Sequence, residues 1–372
     1  MKNLKIKKIN HKINSLYIHI PFCKRICPYC DFVKFIYNES FLNQYLVELK
    51  KDLDQLIQKR YKFKTIYIGG GTPSILSSSQ ICDLFSKIAP LLEDSYEFTI
   101  ELNPENIDEN ILKTLKNNKI NRISIGIQTF NTRLLKLIDR DYAIDIPSKI
   151  ELAKKYFSNI NVDLIYGILD ETFEELKHDV EVFLKLDVPH ISTYSLIIDG
   201  PSLYNIKGYK ETSDEILRKY YDYILDNFRK NGFSRYEVSN FAKPGFESKH
   251  NITYWKNEEY IVLGVGASGY INNIRYKNSA SLTKYIKGIR DGVKEEVSQK
   301  DDIEYFLLCN LRLQEGFLLE TFKNRYNIDI LDLKKSEISD LINRNLIKIE
   351  NNRLFCTDEG IMLLDFVLEK LF

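Results

Sequence analysis

The chain has 372 residues, with 53 basic and 52 acidic side chains and a net charge of +1. That is length for one large domain with a smaller one attached, without the global field that draws nucleic acid. Six cysteines in no paired spacing, no apolar run as long as a membrane span, and a basic N-terminus without an apolar centre set aside disulfide scaffolds, membrane spans and signal peptides, leaving a soluble cytoplasmic protein as the expectation.

Residues 1–14, with five lysines up to Lys12, read as a solvated basic tail with at most a weak pull toward anionic lipid. Leu16–Ile20 alternates into a short strand that Pro21 ends. Cys23, Cys27 and Cys30 follow as C-x3-C-x2-C on one polar loop with Lys24, Arg25 and Asp31. Thiolates this close converge on one soft metal centre. Three without a fourth suit a [4Fe-4S] cluster that keeps one iron open; the rival is a zinc site completed by His19. Cys82, Cys309 and Cys356 stand alone and read as buried or inert.

Strand-like runs continue at Thr65–Ile68, Glu97–Leu102, Arg122–Ile127, Asn161–Tyr166 and Ile191–Leu196, with helices between them. The clearest helix, Phe41–Ile57, has Ser40 as its expected N-cap. Six strand–helix units make a parallel sheet, either open or an incomplete barrel; periodicity does not separate the two. Polar motifs fall at the strand ends. Gly69-Gly70-Gly71-Thr72-Pro73 lets backbone N–H groups approach a ligand. Glu101-Leu102-Asn103-Pro104 ends the third strand, and Ser124-Ile125-Gly126-Ile127-Gln128 forms the fourth, with Arg140 twelve residues after Gln128. Asp163 sits inside an apolar strand, where a carboxylate is costly unless bonded.

Beyond a hinge at residues 199–214, a helix is expected at Asp214–Lys230, ending near Gly232. Gly264-Val265-Gly266-Ala267-Ser268-Gly269 matches G-x-G-x-x-G formally, but no helix start follows, so the glycines read as close backbone approach and not as a dinucleotide site. His250-Asn251-Ile252-Thr253-Tyr254-Trp255 holds the only tryptophan. Its imidazole and aromatic faces suit a flat metal-bearing macrocycle, against the plainer reading of His250 as a hydrogen-bonded structural residue. Residues 301–372 read as a helical pair, a hairpin around Asn351-Asn352 and a last helix. Mixed charges (Lys334, Lys335, Glu337, Asp340, Arg344) make that unit covering or partner-binding, with no nucleic-acid role.

From Leu16 to the C-terminus these motifs resemble the radical S-adenosylmethionine (SAM) superfamily, and within it the HemN/HemW family. The resemblance implies an α/β chain: an incomplete (β/α)6 TIM-like barrel over 15–199, a linker and extension carrying the HNxxYW motif over 200–300, and a small winged-helix-like α+β domain over 301–372. It implies that Cys23, Cys27 and Cys30 hold a [4Fe-4S] cluster whose open iron takes the amino and carboxylate groups of SAM. Tyr17, Tyr29, Gly70, Gly71, Thr72, Glu101, Gln128, Arg140 and Asp163 would contact SAM, and His250, Asn251, Tyr254 and Trp255 would contact heme. Ser268 stands where family members commonly carry histidine.

Two functions follow from the resemblance. One is a heme chaperone that delivers heme to respiratory proteins, with peripheral membrane association. The other is oxygen-independent coproporphyrinogen III dehydrogenase, a radical oxidative decarboxylation in heme biosynthesis. Asp31-Phe32 in place of a C-x-C continuation, the 22 residues before Cys23 and the HNxxYW motif favour the chaperone, so dehydrogenase activity is expected to be absent. A radical SAM enzyme acting on RNA would want a basic stripe that the chain lacks.

Overall fold

The computed structural model describes residues 13–140 and 144–372, so the expected basic tail lies outside the described residues up to Lys12. All six expected strands are present, the first five longer by one to five residues and the sixth shifted by one: β1 Ser15–Ile20, β2 Phe63–Gly70, β3 Leu92–Leu102, β4 Arg122–Gln128, β5 Ile160–Tyr166 and β6 His190–Ser195. They pair in parallel, in sequence order.

The region after residue 200 is more than a linker. Helix Asp214–Lys230 leads into β7 Ser234–Glu237 and β8 Asn240–Ala242, which extend the sheet beyond β6 in antiparallel fashion. β9 Tyr260–Leu263 returns to pair in parallel with the other side of β1, and β10 Ser268–Ile271, β11 Ile274–Asn278 and β12 Gly292–Glu296 continue antiparallel from it. The twelve strands have two free ends, so the barrel is incomplete. β10 begins inside the glycine cluster, at Ser268, so no helix opens there. A Cβ on Gly264 (φ +101°) would stand 2.4 Å from the Tyr45 hydroxyl and 2.7 Å from the His19 carbonyl, the close approach that the glycines permit.

A parallel sheet covered on both faces normally reads as continuous apolar residues. Here the strands alternate. Leu16, Ile18, Ile66, Ile68, Phe98, Ile100, Ile123, Ile125, Val162 and Leu164 are fully buried in the main core, against helices such as Glu39–Gln58 and Ser78–Ile88. Asn38, and not Ser40, caps the first of these, its Oδ1 accepting from Phe41 N at 3.0 Å. The opposite face carries polar groups in register: Ser15 beside Thr65, Tyr17 beside Tyr67, Thr99 beside Arg122, Glu101 beside Ser124, Asp163 beside Ser192. The sheet curls enough that Ser248 N donates to the Tyr236 hydroxyl on β7 at 3.3 Å while His250, two residues on, meets Thr65 Oγ1 on β2 at 2.8 Å. The polar face is therefore the wall of a lumen. Its N-terminal end is stopped by helix Lys249–Trp255, whose first two amides, Lys249 N and His250 N, donate to Glu97 on β3 at 3.1 and 3.0 Å.

The C-terminal part has its own core of Phe306, Phe322, Leu341, Ile347, Leu354 and Val367. Helix Gln299–Asn310 precedes β13 Phe317–Leu318, and β14 Ile347–Glu350 with β15 Arg353–Cys356 completes a three-stranded antiparallel sheet. Asn351 and Asn352 make the hairpin turn with φ of 49° and 60°. Cys356 is buried as expected, whereas Cys82 is exposed on its helix. Among the described residues no helix is long and apolar enough to cross a membrane.

Candidate active site in the barrel mouth

The cysteine loop lies where β1 ends. Phe22-Cys23 pairs in parallel with Phe35-Ile36, which pins both ends of the loop, and Cys30 N donates to Cys27 O at 3.2 Å inside it. The glycine run after β2 wraps against this loop: Gly71 N donates to Ile20 O and Thr72 N to Phe22 O, each at 2.9 Å. A Cβ on Gly71 would lie 2.8 Å from the Phe22 carbonyl and 3.0 Å from Cys23 Sγ, so only glycine fits there.

None of the three cysteines is in a disulfide. Thr72 Oγ1 donates to Cys23 Sγ at 3.5 Å, and Arg140 Nε donates to Cys27 Sγ at 3.3 Å while its Nη1 holds the Gly126 carbonyl at 2.9 Å. Burial pushes the Cys23 and Cys30 thiols up, so a metal binding here displaces protons.

His19 does not complete a zinc site. Its Nδ1 meets the Tyr17 hydroxyl at 2.9 Å and its Nε2 the Val33 carbonyl at 2.8 Å. Among the described residues no three His, Cys, Asp or Glu side chains gather as ligands of a single ion. Thiolates of a [4Fe-4S] cube sit on separate irons and need not share one point.

Below the loop, Glu101 accepts from Gly70 N and from the Tyr67 hydroxyl, each at 2.9 Å. Burial pushes its carboxyl up to about 7, against the pull of those two donors. Asp163 accepts from Asn161 Nδ2 at 2.8 Å and is likewise raised by burial. Gln128 is buried with φ +76° at a register shift between β4 and β5, and a Cβ on Gly126 would stand 2.9 Å from its amide and 3.2 Å from Arg140. Tyr29 packs on a small apolar cluster with Leu134, Ile138 and Tyr204. The structure thus brings Cys23, Cys27, Gly70, Gly71, Thr72, Glu101, Gln128, Arg140 and Tyr17 to one mouth, with Asp163 on the same wall.

The HNxxYW residues lie at the other end of the lumen. His250 is 1 % exposed, its Nδ1 bonded to Thr65 Oγ1 at 2.8 Å and its Nε2 to the Tyr254 hydroxyl at 2.7 Å, and it stacks on Tyr67 at 5.2 Å. An imidazole so engaged offers iron no free nitrogen. Asn251 serves the helix start through its amide on Ser248 Oγ, and Trp255 lies under Arg312 of the C-terminal part. Ser268 is exposed at the start of β10. Sequence reading missed Tyr67, Tyr194 and Arg122; the signal for them was a polar residue at every second position of strands in a parallel sheet.

Comparison with known proteins matches residues 17–183 to the Radical SAM superfamily and residues 297–363 to the HemN C-terminal domain. The heme chaperone HemW of Lactococcus lactis is 42 % identical over 96 % of this chain and 97 % of its own length. That of Bacillus subtilis is 36 % identical over 94 % and 97 %. Among solved structures, the coproporphyrinogen III oxidase HemN of Escherichia coli superposes with a TM-score of 0.83 over 98 % of this chain and 91 % of its own, at 19 % identity.

Proposed function

The chain belongs to the radical SAM superfamily and, within it, to the heme chaperone HemW family, and on that footing we propose that it binds heme and hands it to heme-accepting respiratory proteins. The observation that carries this reading is the 42 % identity to a heme chaperone across almost the whole of both chains. The likeness to HemN, at 19 % identity, speaks for the fold alone.

The mouth fits the groups that the superfamily implies. Three unpaired thiols on one pinned loop form a soft donor set for a [4Fe-4S] cluster, and the Gly71 cradle with the Glu101 carboxylate leaves main-chain and acceptor groups for SAM. Such a cluster supplies electron transfer to bound SAM. The chain's own contribution is positional. Cys23, Cys27 and Cys30 hold the cluster, and Thr72 and Arg140 hydrogen-bond two of the sulfurs and so tune it. Glu101 holds the Gly70 amide in place and accepts from SAM when ionised, with Tyr17, Tyr29, Gln128 and Asp163 lining the same space. Heme is the cargo, met by the HNxxYW end of the lumen. His250 there acts as a buried strut beneath Tyr67. The protein works in the cytoplasm, touching a membrane only peripherally where its acceptors lie.

The test is a heme titration of the anaerobically reconstituted protein, followed by incubation with SAM, reductant and coproporphyrinogen III. Stoichiometric heme binding without protoporphyrinogen is the expected result. Turnover of the porphyrinogen would overturn the chaperone reading in favour of the dehydrogenase.

A further inference from the structure

One side chain on the lumen wall is out of electrostatic balance. Arg122, the first residue of β4, is 2 % exposed, its Nε has no hydrogen-bond partner, and among the described residues its guanidinium enters no ion pair. The other buried arginine among the described residues is answered: Arg235, 3 % exposed, meets Asp358 at 2.7 Å. Removing a guanidinium from water without a counter-ion is costly, and the cost falls when an anion arrives.

Asp163 on β5 lies within reach of the charge of Arg122, but among the described residues no carboxylate forms an ion pair with that arginine. Tyr67, Tyr236, His190 and His250 all feel its charge. Both imidazoles are hydrogen-bonded elsewhere and kept neutral by burial, His190 between Asn161 and Tyr236. Glu97 is committed to the amides of Lys249 and His250, and Asp163 is bonded to Asn161.

We propose that Arg122 is the receptor for a carboxylate of the ligand that occupies the lumen, namely a propionate of a porphyrin. This rests on the heme reading above and deepens it. The planar fork of a guanidinium matches a carboxylate through two parallel hydrogen bonds. His250 stacks on Tyr67, and Tyr67, Thr99 and Arg122 stand in register across β2, β3 and β4, so the aromatic end of the lumen and the cation are one site. Recognition at this end needs no bond from His250 to iron.

The experiment uses two probes that differ only in their carboxylates, iron protoporphyrin IX and its dimethyl ester, titrated by absorbance into the reconstituted wild type, Arg122→Gln and Arg122→Lys. The wild type is expected to prefer the free acid by about tenfold to a hundredfold, the span of one charge-assisted bidentate contact. Arg122→Gln should lose that preference with SAM affinity unchanged, and Arg122→Lys should keep part of it. Equal wild-type affinity for acid and ester, or an unaltered preference in Arg122→Gln, overturns the Arg122 assignment and leaves the heme reading standing. Failure of the wild type to bind either probe overturns both. A parallel arm compares SAM with decarboxylated SAM; loss of that discrimination in Arg122→Gln would make the carboxylate SAM's own and overturn the porphyrin assignment. The wild-type comparison of acid and ester needs no substitution, so a variant that fails to fold does not shelter the proposal.

Discussion

Cys27 and His19 separate the two metal readings at the scale of single residues. Cys27 carries a hydrogen bond from Arg140, and His19 has both nitrogens engaged away from the loop. Cys27→Ala should therefore strip iron and sulfide from the reconstituted protein, while His19→Ala should leave iron content unchanged; loss of metal in the histidine variant would restore the zinc reading. Glu101 gives a pH dependence. Its folded value of about 7 lies above the ordinary 4.5, so the protonated form is favoured in the fold. The sign follows from linkage: the unfolded chain releases this proton first, so the contribution to stability is full below about 4.5 and is lost as pH rises through about 7. A carboxylate accepting from SAM gains in the opposite sense. SAM affinity should rise between about pH 6 and pH 8 and then level off, measured by equilibrium dialysis, and Glu101→Gln should bind more weakly with a flat profile. A flat wild-type profile would remove Glu101 from SAM recognition.

Elements were legible where their signals were local. Most of the six strands stood out because they end in a polar or glycine motif, and Asn351-Asn352 announced a two-residue turn. Both asparagines adopt positive φ, at 49° and 60°, a region that costs most side chains about 1–2 kcal/mol per residue. Asn352→Val should accordingly lower stability by about 1–2 kcal/mol, and Asn352→Gly should be close to neutral, read by thermal denaturation. A neutral valine would mean that the hairpin adjusts its turn. Other elements depended on distant partners. β9 pairs with β1 across more than two hundred residues, and nothing within Tyr260–Leu263 says so. The helix cap moved from Ser40 to Asn38 because the two polar residues compete within one turn. The partners of His250, Thr65 and Tyr67, come from β2, 185 residues away for Thr65, so the sequence could not choose between the ligand and the hydrogen-bonded readings.

For the whole molecule the question is what keeps the C-terminal part on the barrel. The two have separate cores, and charged contacts bridge them: Arg218 to Glu359 at 2.9 Å, Arg229 to Asp358 at 2.8 Å and Arg235 to Asp358 at 2.7 Å. These are unequal. The Arg218 and Arg229 side chains are 40 % and 41 % exposed, where an ion pair contributes about 0–1 kcal/mol, while the Arg235 side chain is 1 % exposed and also bonds Gln314. Removing the carboxylate that answers a buried guanidinium costs more than removing a surface partner. Asp358→Asn should thus weaken docking by about 2 kcal/mol, below the value for a fully buried pair because Asp358 itself is half exposed, whereas Arg229→Gln should cost under about 1 kcal/mol. The arginines hold the Asp358 carboxyl below its ordinary value, so its contribution is present above about pH 4 and is lost on acidification through the folded value. Limited trypsin digestion reads the difference: faster release of the C-terminal part in Asp358→Asn than in Arg229→Gln, and in the wild type only under acid pre-treatment. Equal release from the two variants would mean that apolar contacts such as Val238 against the C-terminal core hold the units together, and that the buried Arg235 is satisfied by Gln314 and Tyr221.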